Sequence, residues 1–506
     1  MVGKKAKWIA GAALLLLIVA PVASYLFVER ELTKMYGGHT ERAELSLPQA
    51  EAQPYAFVNV NVLTPDATHF EARAVVVVDG RISDVLAQAD LPDGIKTIDG
   101  QGRFLVPGFT DSHVHTWQSE NDLLLYVANG VTQVREMNGS EESLRWKREI
   151  ANGRIGPDMF VVAPQLATFD GLEGRFVAWT QKKTIVPSQA DVERVVREFA
   201  AQGYDAVKSS SYLSRDSYQA LGRVAKRLNF PVLGHIPVAA DLDDMFQVKP
   251  TEIAHVEELM KALDREFGGY DVENAEEFLD FVRSRSGDVA ERLRNEGIAV
   301  TSTLALIDSF PRQKENLDRV LRAAPLEYAN PGITEGTVIT SRGMGWLPNV
   351  NIYRMPEEWD EARRRKSLAY WNAYAAATGI VFDALLDNGV TILAGTDANV
   401  PVMVPGFSLH EEFRTLNDAG MAPAQVLASA TVAPGKWTGA RVGQIRPGFV
   451  ANLVMLRGNP LSDIAATGAI EMVVKQGRRF TRDDLDAMLA AVKSANDRSR
   501  SVKLPL

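Results

Sequence analysis

Asp111, His113 and His115 stand at alternate positions in the stretch Val106–Gln118, VPGFTDSHVHTWQ. Alternate residues of a strand point to the same side, so both imidazoles would be aimed at one point. Two converging imidazoles are the beginning of a metal site. A lone H-x-H also arises by chance, so the reading depends on whether further donors join it. The chain has seven histidines and no cysteine. Any metal must therefore be held by His, Asp, Glu or a modified side chain, and no disulfide framework exists. The lack of cysteine suits an oxidising compartment without requiring one.

The elements that must position these groups follow an alternation. Val131–Arg135 and Met159–Ala163 read as strands, as do the segments ending at Lys208, His235, His255, Ser302 and Asp397. Between them, Asp122–Ala128, Asp191–Ala201, Ser217–Leu228, Ala290–Asn295 and Ala373–Leu386 read as helices. Strand–helix alternation over roughly 300 residues predicts a parallel (β/α)₈ barrel of the TIM type. His113, His115, Lys208, His235, His255 and Asp397 then all sit at the carboxyl ends of barrel strands. That is the end where such barrels build their sites. Six groups of ligand or catalytic type at one end make a metal centre the favoured reading over core histidines. His39 and His69 lie in polar segments and read as solvated, and His410 begins the helix after the eighth strand and reads as structural.

Outside the barrel, Ala56–Val62 alternates as a half-buried strand should. Asp79-Gly80 is a two-residue hairpin signal between Ala74–Val78 and Arg81–Val85. Val450–Leu456 and Met472–Val474 return to strand character near the far end. A small β-sandwich domain built from both chain ends is expected, from 54–105 and 440–485, around a barrel at 106–439, with a tail at 486–506. Lys4, Lys5 and Lys7 precede an uncharged stretch, Trp8–Val28. At ~1.5 Å per residue it can cross a ~30 Å hydrocarbon core. A cleaved signal peptide ending near Val22-Ala23-Ser24 competes with an uncut anchor at 1–29. The anchor is favoured because apolar character continues to Val28, and a polar linker at 30–53 follows. Either reading exports the body, to the periplasm in a bacterium. The stretch 307–370 is too long for a simple crossover and reads equally as a lid or a surface insertion. A net charge of -9 argues against nucleic acid as a partner.

The motifs VPGFTDSHVH, ANGVTQVRE, AVK, GHIP, EIAHVEE, AGTD and GQIRPGFVANLVMLRGNPLSDI together resemble the amidohydrolase superfamily, above all its imidazolonepropionase-related and prolidase-like members. The resemblance spans most of the chain after about residue 54 and implies a pair of divalent metal ions, zinc being the expected metal. One ion would take His113, His115 and Asp397, and the other His235 and His255. Lys208 would bridge them as a carboxylated lysine. An ammonium cannot ligate, but a neutral lysine in a cation-rich, low-dielectric site can react with carbon dioxide. Asp397 would be the general base and then the general acid, while Asp111 and Glu136 read equally as groups that orient a ligand or as structural hydrogen-bond partners.

Tyr212 and Arg215, in the loop after Lys208, are candidates to hold a substrate carboxylate or carbonyl, against the alternative of a solvated loop. Departures from the family pattern are Asn452 in Ala451-Asn452-Leu453-Val454 and the run Pro434–Gly439, both remote from the chemistry. The expected function is hydrolysis of C–N bonds in small substrates: dipeptides, N-acyl amino acids or cyclic amides. A lactonase or phosphotriesterase using the same centre is the alternative, since a first shell of ligands does not choose between carbonyl and phosphoryl groups. A membrane-tethered, non-catalytic scaffold would require missing ligands, and none is missing. The oligomeric state stays open.

Overall fold

A computed structural model describes residues 2–47, 53–337 and 345–505, with side chains from residue 19 onward. Its centre is a ring of short parallel strands. Phe109–Val114, Val131–Glu136 and Asp158–Val161 pair in order. So do Val207–Ser209, Val232–Gly234, Glu252–Ile253, Ala299–Thr301 and Ile392–Leu393. A parallel bridge from Val162 to Ala206 joins the two runs, and one from Val114 to Ala398 closes the ring.

The intervening helices explain why each strand arrives where it does. Gln189–Gln202 starts where the Ser188 hydroxyl accepts from Asp191 N and stops at Gly203, whose φ of 91° suits a residue without Cβ. Its Val192, Val195, Val196 and Phe199 are buried in an i, i+3, i+4, i+7 stripe. That stripe seats the helix on the ring and hands the chain to Val207-Lys208. The interior of the ring also holds a charge pair. Arg135 Nη1 donates to Glu252 Oε2 at 2.7 Å, its Nε to Ser112 O at 2.8 Å, and its guanidinium lies 4.5 Å from the Trp437 ring centre. Buried ions persist only when paired in this way.

Both chain ends contribute to a second, eight-stranded sheet. Its order is Arg478–Thr481, Ile470–Lys475, Leu453–Leu456, Phe104–Pro107, Tyr55–Leu63, Phe70–Val78 and Arg81–Leu86, with Lys96–Asp99 also paired to Tyr55–Leu63. Where two stacked sheets are expected from the alternation, hydrogen bonding makes a single sheet rolled about one apolar core that includes Phe57, Val75, Leu105 and Met455. The Asp79-Gly80 and Gln476-Gly477 turns both have paired positive φ, and they touch: a Cβ on Gly477 would lie 2.7 Å from Gly80 Cα. Phe104–Pro107 runs directly into Phe109–Val114, so this sheet lies at the amino end of the first barrel strand.

The N-terminal segment forms the helix Val2–Met35. Among the described residues no helix is long and apolar enough to cross a membrane. The side chains through residue 18, where the expected anchor is most apolar, lie outside that description. The stretch after it, expected to be a polar linker, is docked as far as it is described. Leu32, Met35 and Tyr36 are buried, Tyr36 OH donates to Thr180 O at 2.8 Å, and Ala43 N donates to Asn121 Oδ1 at 2.8 Å. Positions 48–52 of that linker, and 338–344 of the insertion 307–370, lie outside the described residues. The rest of the insertion is mostly helical, and Trp346 packs it onto the loop after the eighth barrel strand by donating to Asn399 O at 3.4 Å. The tail forms the helix Arg482–Ser499, capped by Thr481 and packed on Asp122–Ala128 through Val492 and Ala495.

Candidate active site

His113, His115, Lys208, His235, His255 and Asp397 come together at the carboxyl end of the ring. Lys208 Nζ is 3.2 Å from His113 Nε2. Asp397 Oδ1 lies 3.1 Å from His115 Nε2 and 3.4 Å from His113 Nε2. Ring centres are 4.3 Å apart for His113 and His255, and 5.3 Å for His235 and His255. Ligand atoms of His113, His115 and Asp397 fall within 4.8 Å of one another, the span of a shared cation.

Local structure sets these positions. Asp397 takes a left-handed φ of 56°, unusual for a residue with Cβ. It is held there because its N–H donates to His113 O at 2.8 Å. Before it, Thr396 Oγ1 donates to Asp111 Oδ2 at 2.6 Å, tying the eighth strand to the first. Gly395 allows that approach, since a Cβ there would lie 2.6 Å from Thr301 Cγ2 and 2.9 Å from His113 Cβ.

Each outer imidazole nitrogen has its own environment. His235 Nδ1 meets Ser211 Oγ at 2.9 Å, with Glu258 Oε1 4.0 Å away, and Glu258 itself accepts from Ile236 N at 3.0 Å. His255 Nδ1 meets Thr303 Oγ1 at 3.1 Å. His115 Nδ1 is 3.8 Å from Glu136 Oε1, and Glu136 is fixed by Thr116 N and Oγ1. Trp117 stacks on His115 with ring centres 5.7 Å apart.

Electrostatics suits ligation. Burial, reinforced by the Lys208 charge, holds His113 and His235 well below the usual imidazole range, and burial also lowers His255. These rings are neutral, the state that offers a lone pair. Burial pushes Lys208 down to about 8, so its neutral amine is accessible near neutral pH. Burial works against an ionised Asp397, but the neighbouring His115, with His255 and Lys208, outweighs it and holds the carboxyl well below its ordinary value. Asp397 Oδ1, His113 Nδ1 and His115 Nδ1 are buried without a hydrogen-bond partner. A buried carboxylate oxygen without a donor, beside the ring nitrogens of His113 and His115, fits a cation.

The two candidates for substrate contact lie in and just after the loop that follows Lys208. Arg215 does not reach the six: its Nε pairs with Asp244 Oδ2 at 2.7 Å, because the guanidinium at a helix start turns back to the carboxylate of the next helix. Tyr212 is 57% exposed on the rim, against Phe169 and beneath Lys183. Sequence reasoning missed Ser211, Glu258, Thr303, Trp117 and Asn399, whose Nδ2 donates to His115 O at 2.7 Å. Trp117 continues the alternation of the H-x-H, and Glu258 follows His255 by one helical turn. Those two had a signal in the sequence, and the other three had none.

The ring and its converging donors define an α/β barrel with a group at its mouth that could hold a metal ion. Residues 104–480 match the amidohydrolase family, and the chain belongs to it, making it an enzyme that acts on carbon–nitrogen bonds. Among solved structures, bottromycin amidohydrolase is similar with a TM-score of 0.68 at 22% identity, covering 92% of this chain and 96% of that one. A Xaa-Pro dipeptidase with bound methionine in its active site gives 0.60 at 17%, covering 85% and 100%. The ochratoxinase of A. niger gives 0.60 at 18%, covering 85% and 96%. A deacetylase of Brucella anthropi is 31% identical over 75 residues, 14% of this chain and only 19% of that protein.

Proposed function

We propose that this enzyme hydrolyses amide bonds of small substrates, such as dipeptides, N-acyl amino acids or cyclic amides, with two divalent ions, zinc being the expected metal. His113, His115 and Asp397 would hold one ion, His235 and His255 the other, and Lys208, as its carbamate, would bridge them. When bound, such a pair lowers the pKa of water and polarises a carbonyl. Asp397, ionised and close to two imidazoles, takes up a proton and returns it to the departing nitrogen. His113, His235 and His255 stay neutral beneath it, so they do not compete for that proton. Trp117 and the docked Tyr36 wall the site beside His115 and limit water there; their rings meet edge-on at 5.6 Å. The observation that carries the reading is the partnerless, buried Asp397 Oδ1 within 3.4 Å of two imidazole nitrogens.

The uncharged stretch Trp8–Val28 behind three lysines supports a membrane-anchored or exported enzyme with its barrel outside the cytoplasm. Protease accessibility in intact cells checks that placement. The activity is tested by metal analysis and a hydrolysis screen of zinc-loaded protein against dipeptides, N-acyl amino acids, cyclic amides and lactones. About two ions per chain with amide turnover is expected. Metal-free protein after zinc loading, or turnover of lactones alone, would overturn the reading.

A further inference from the structure

We infer that the rim of the barrel mouth, together with the N-terminal helix, is a docking surface for a lipid bilayer, so that the active site opens onto the membrane. The inference rests on the amide-hydrolase reading only for the substrate it implies. Eleven large apolar side chains are exposed among the described residues, and nine of them form two neighbouring groups. Five (Val19, Val22, Tyr25, Leu26, Phe27) lie on the helix Val2–Met35. The other four are Leu172 at 82%, Phe176 at 59%, Val238 at 62% and Tyr212. Backbone bonds place those four on the mouth: Thr168 N, before the helix Gly171–Gln181, donates to Tyr212 O at 3.0 Å, and Val238 N donates to Ser211 O at 3.0 Å.

Aromatic contacts join the two groups into one ladder. Leu172 and Phe176 are four apart on the outer face of their helix, while Gly174 and Val177 are buried on the inner one. The Phe176 ring meets Trp179 at 6.3 Å, and Trp179 stacks on Tyr25 at 5.4 Å. Arg175 and Lys182 are exposed beside this ladder, and Lys183 lies 4.9 Å from the Tyr212 ring centre. An apolar stripe with Trp and Tyr at its margin and basic groups alongside suits the headgroup boundary of a bilayer. The occupant must also take the chain that leads into the ladder. That chain is the uncharged run from Trp8, which a bilayer accommodates continuously with the rim. The substrate class that follows is an amphiphilic amide whose apolar arm stays in the lipid while its carbonyl reaches Asp397.

The chain contains no cysteine, so single Leu172→Cys, Phe176→Cys and Val238→Cys variants can each carry one spin label, with Asp93→Cys in the exposed turn before the strand Lys96–Asp99 as the aqueous control. The full-length protein is reconstituted in phosphatidylcholine–phosphatidylglycerol vesicles. Collision with oxygen and with an aqueous nickel complex is then measured at each label. The rim labels should favour oxygen over nickel several-fold more than the label at 93. Rim labels as open to nickel as position 93 would overturn the docking, as would short label-to-label distances between two molecules, which mark a second copy as the occupant. Turnover of a water-soluble dipeptide by the same variants is read separately. Intact turnover with aqueous labels sinks the docking alone. Lipid-facing labels with no turnover of the dipeptide or of a vesicle-borne long-chain N-acyl amino acid uphold the docking and sink the hydrolase reading.

Discussion

Asp397 closes the loop after the eighth strand in a left-handed conformation, at φ 56°, with a carboxylate oxygen close to two imidazoles. Its ionised state comes from those neighbours winning over burial. Asp397→Asn keeps the shape and removes the proton carrier. Turnover should fall by about 10²–10⁴ while bound metal, measured by mass spectrometry, stays largely in place. Full activity in this variant would remove the role. Glu258 acts one layer further out, fixed by Ile236 N and facing His235 Nδ1 at 4.0 Å. Glu258→Gln should weaken metal binding by roughly 10–100-fold, with activity recovering at excess metal. Loss of kcat that no metal concentration restores would mean that Glu258 does something other than orient His235.

Gly395 lets the eighth strand lie against the first and seventh. A Cβ at that position would press on Thr301 Cγ2 at 2.6 Å and on His113 Cβ and N at 2.9 Å, with no flexible tip to move aside. Gly395→Ala should cost about 1–3 kcal/mol in a denaturant titration and displace His113, lowering metal content as well. Gly379 lies in the helix Glu361–Asp387 with nothing within 4 Å of its missing Cβ. Gly379→Ala should be neutral, or stabilising by about 0.5–1 kcal/mol. If the two substitutions behave alike, the contact between the strands is not what selects glycine at 395.

His410 links the barrel to the rolled sheet's side of the molecule, its ring meeting Thr467 Oγ1 and Asn129 O, each at 3.1 Å. Burial pushes it down to about 4, whereas an unfolded histidine titrates near 6.5. Between those values the unfolded chain binds a proton that the folded one refuses. Stability should therefore fall as pH drops from about 6.5 to about 4, by roughly 3 kcal/mol from this group, and should not depend on it above 6.5. His410→Gln should flatten that part of the stability curve. An unchanged curve would show that other groups carry the acid sensitivity. With the proposed ions loaded, a chelator should lower Tm for the whole barrel, because an ion held by several strands would stabilise only the folded chain.

The strand–helix alternation, the hairpin at Asp79-Gly80 and the placing of six donors at strand ends were all legible in the sequence. Each is written in local periodicity or in the spacing of neighbours such as His113 and His115. The outward turn of Arg215, the docking of Tyr36 beside Trp117, the rolling of the sheet on itself and the seats of Ser211 and Thr303 beside His235 and His255 were not. These depend on residues from distant parts of the chain meeting after the ring closes. Periodicity decides which way a side chain points from its own strand or helix; only packing across the ring decides which partner it meets there.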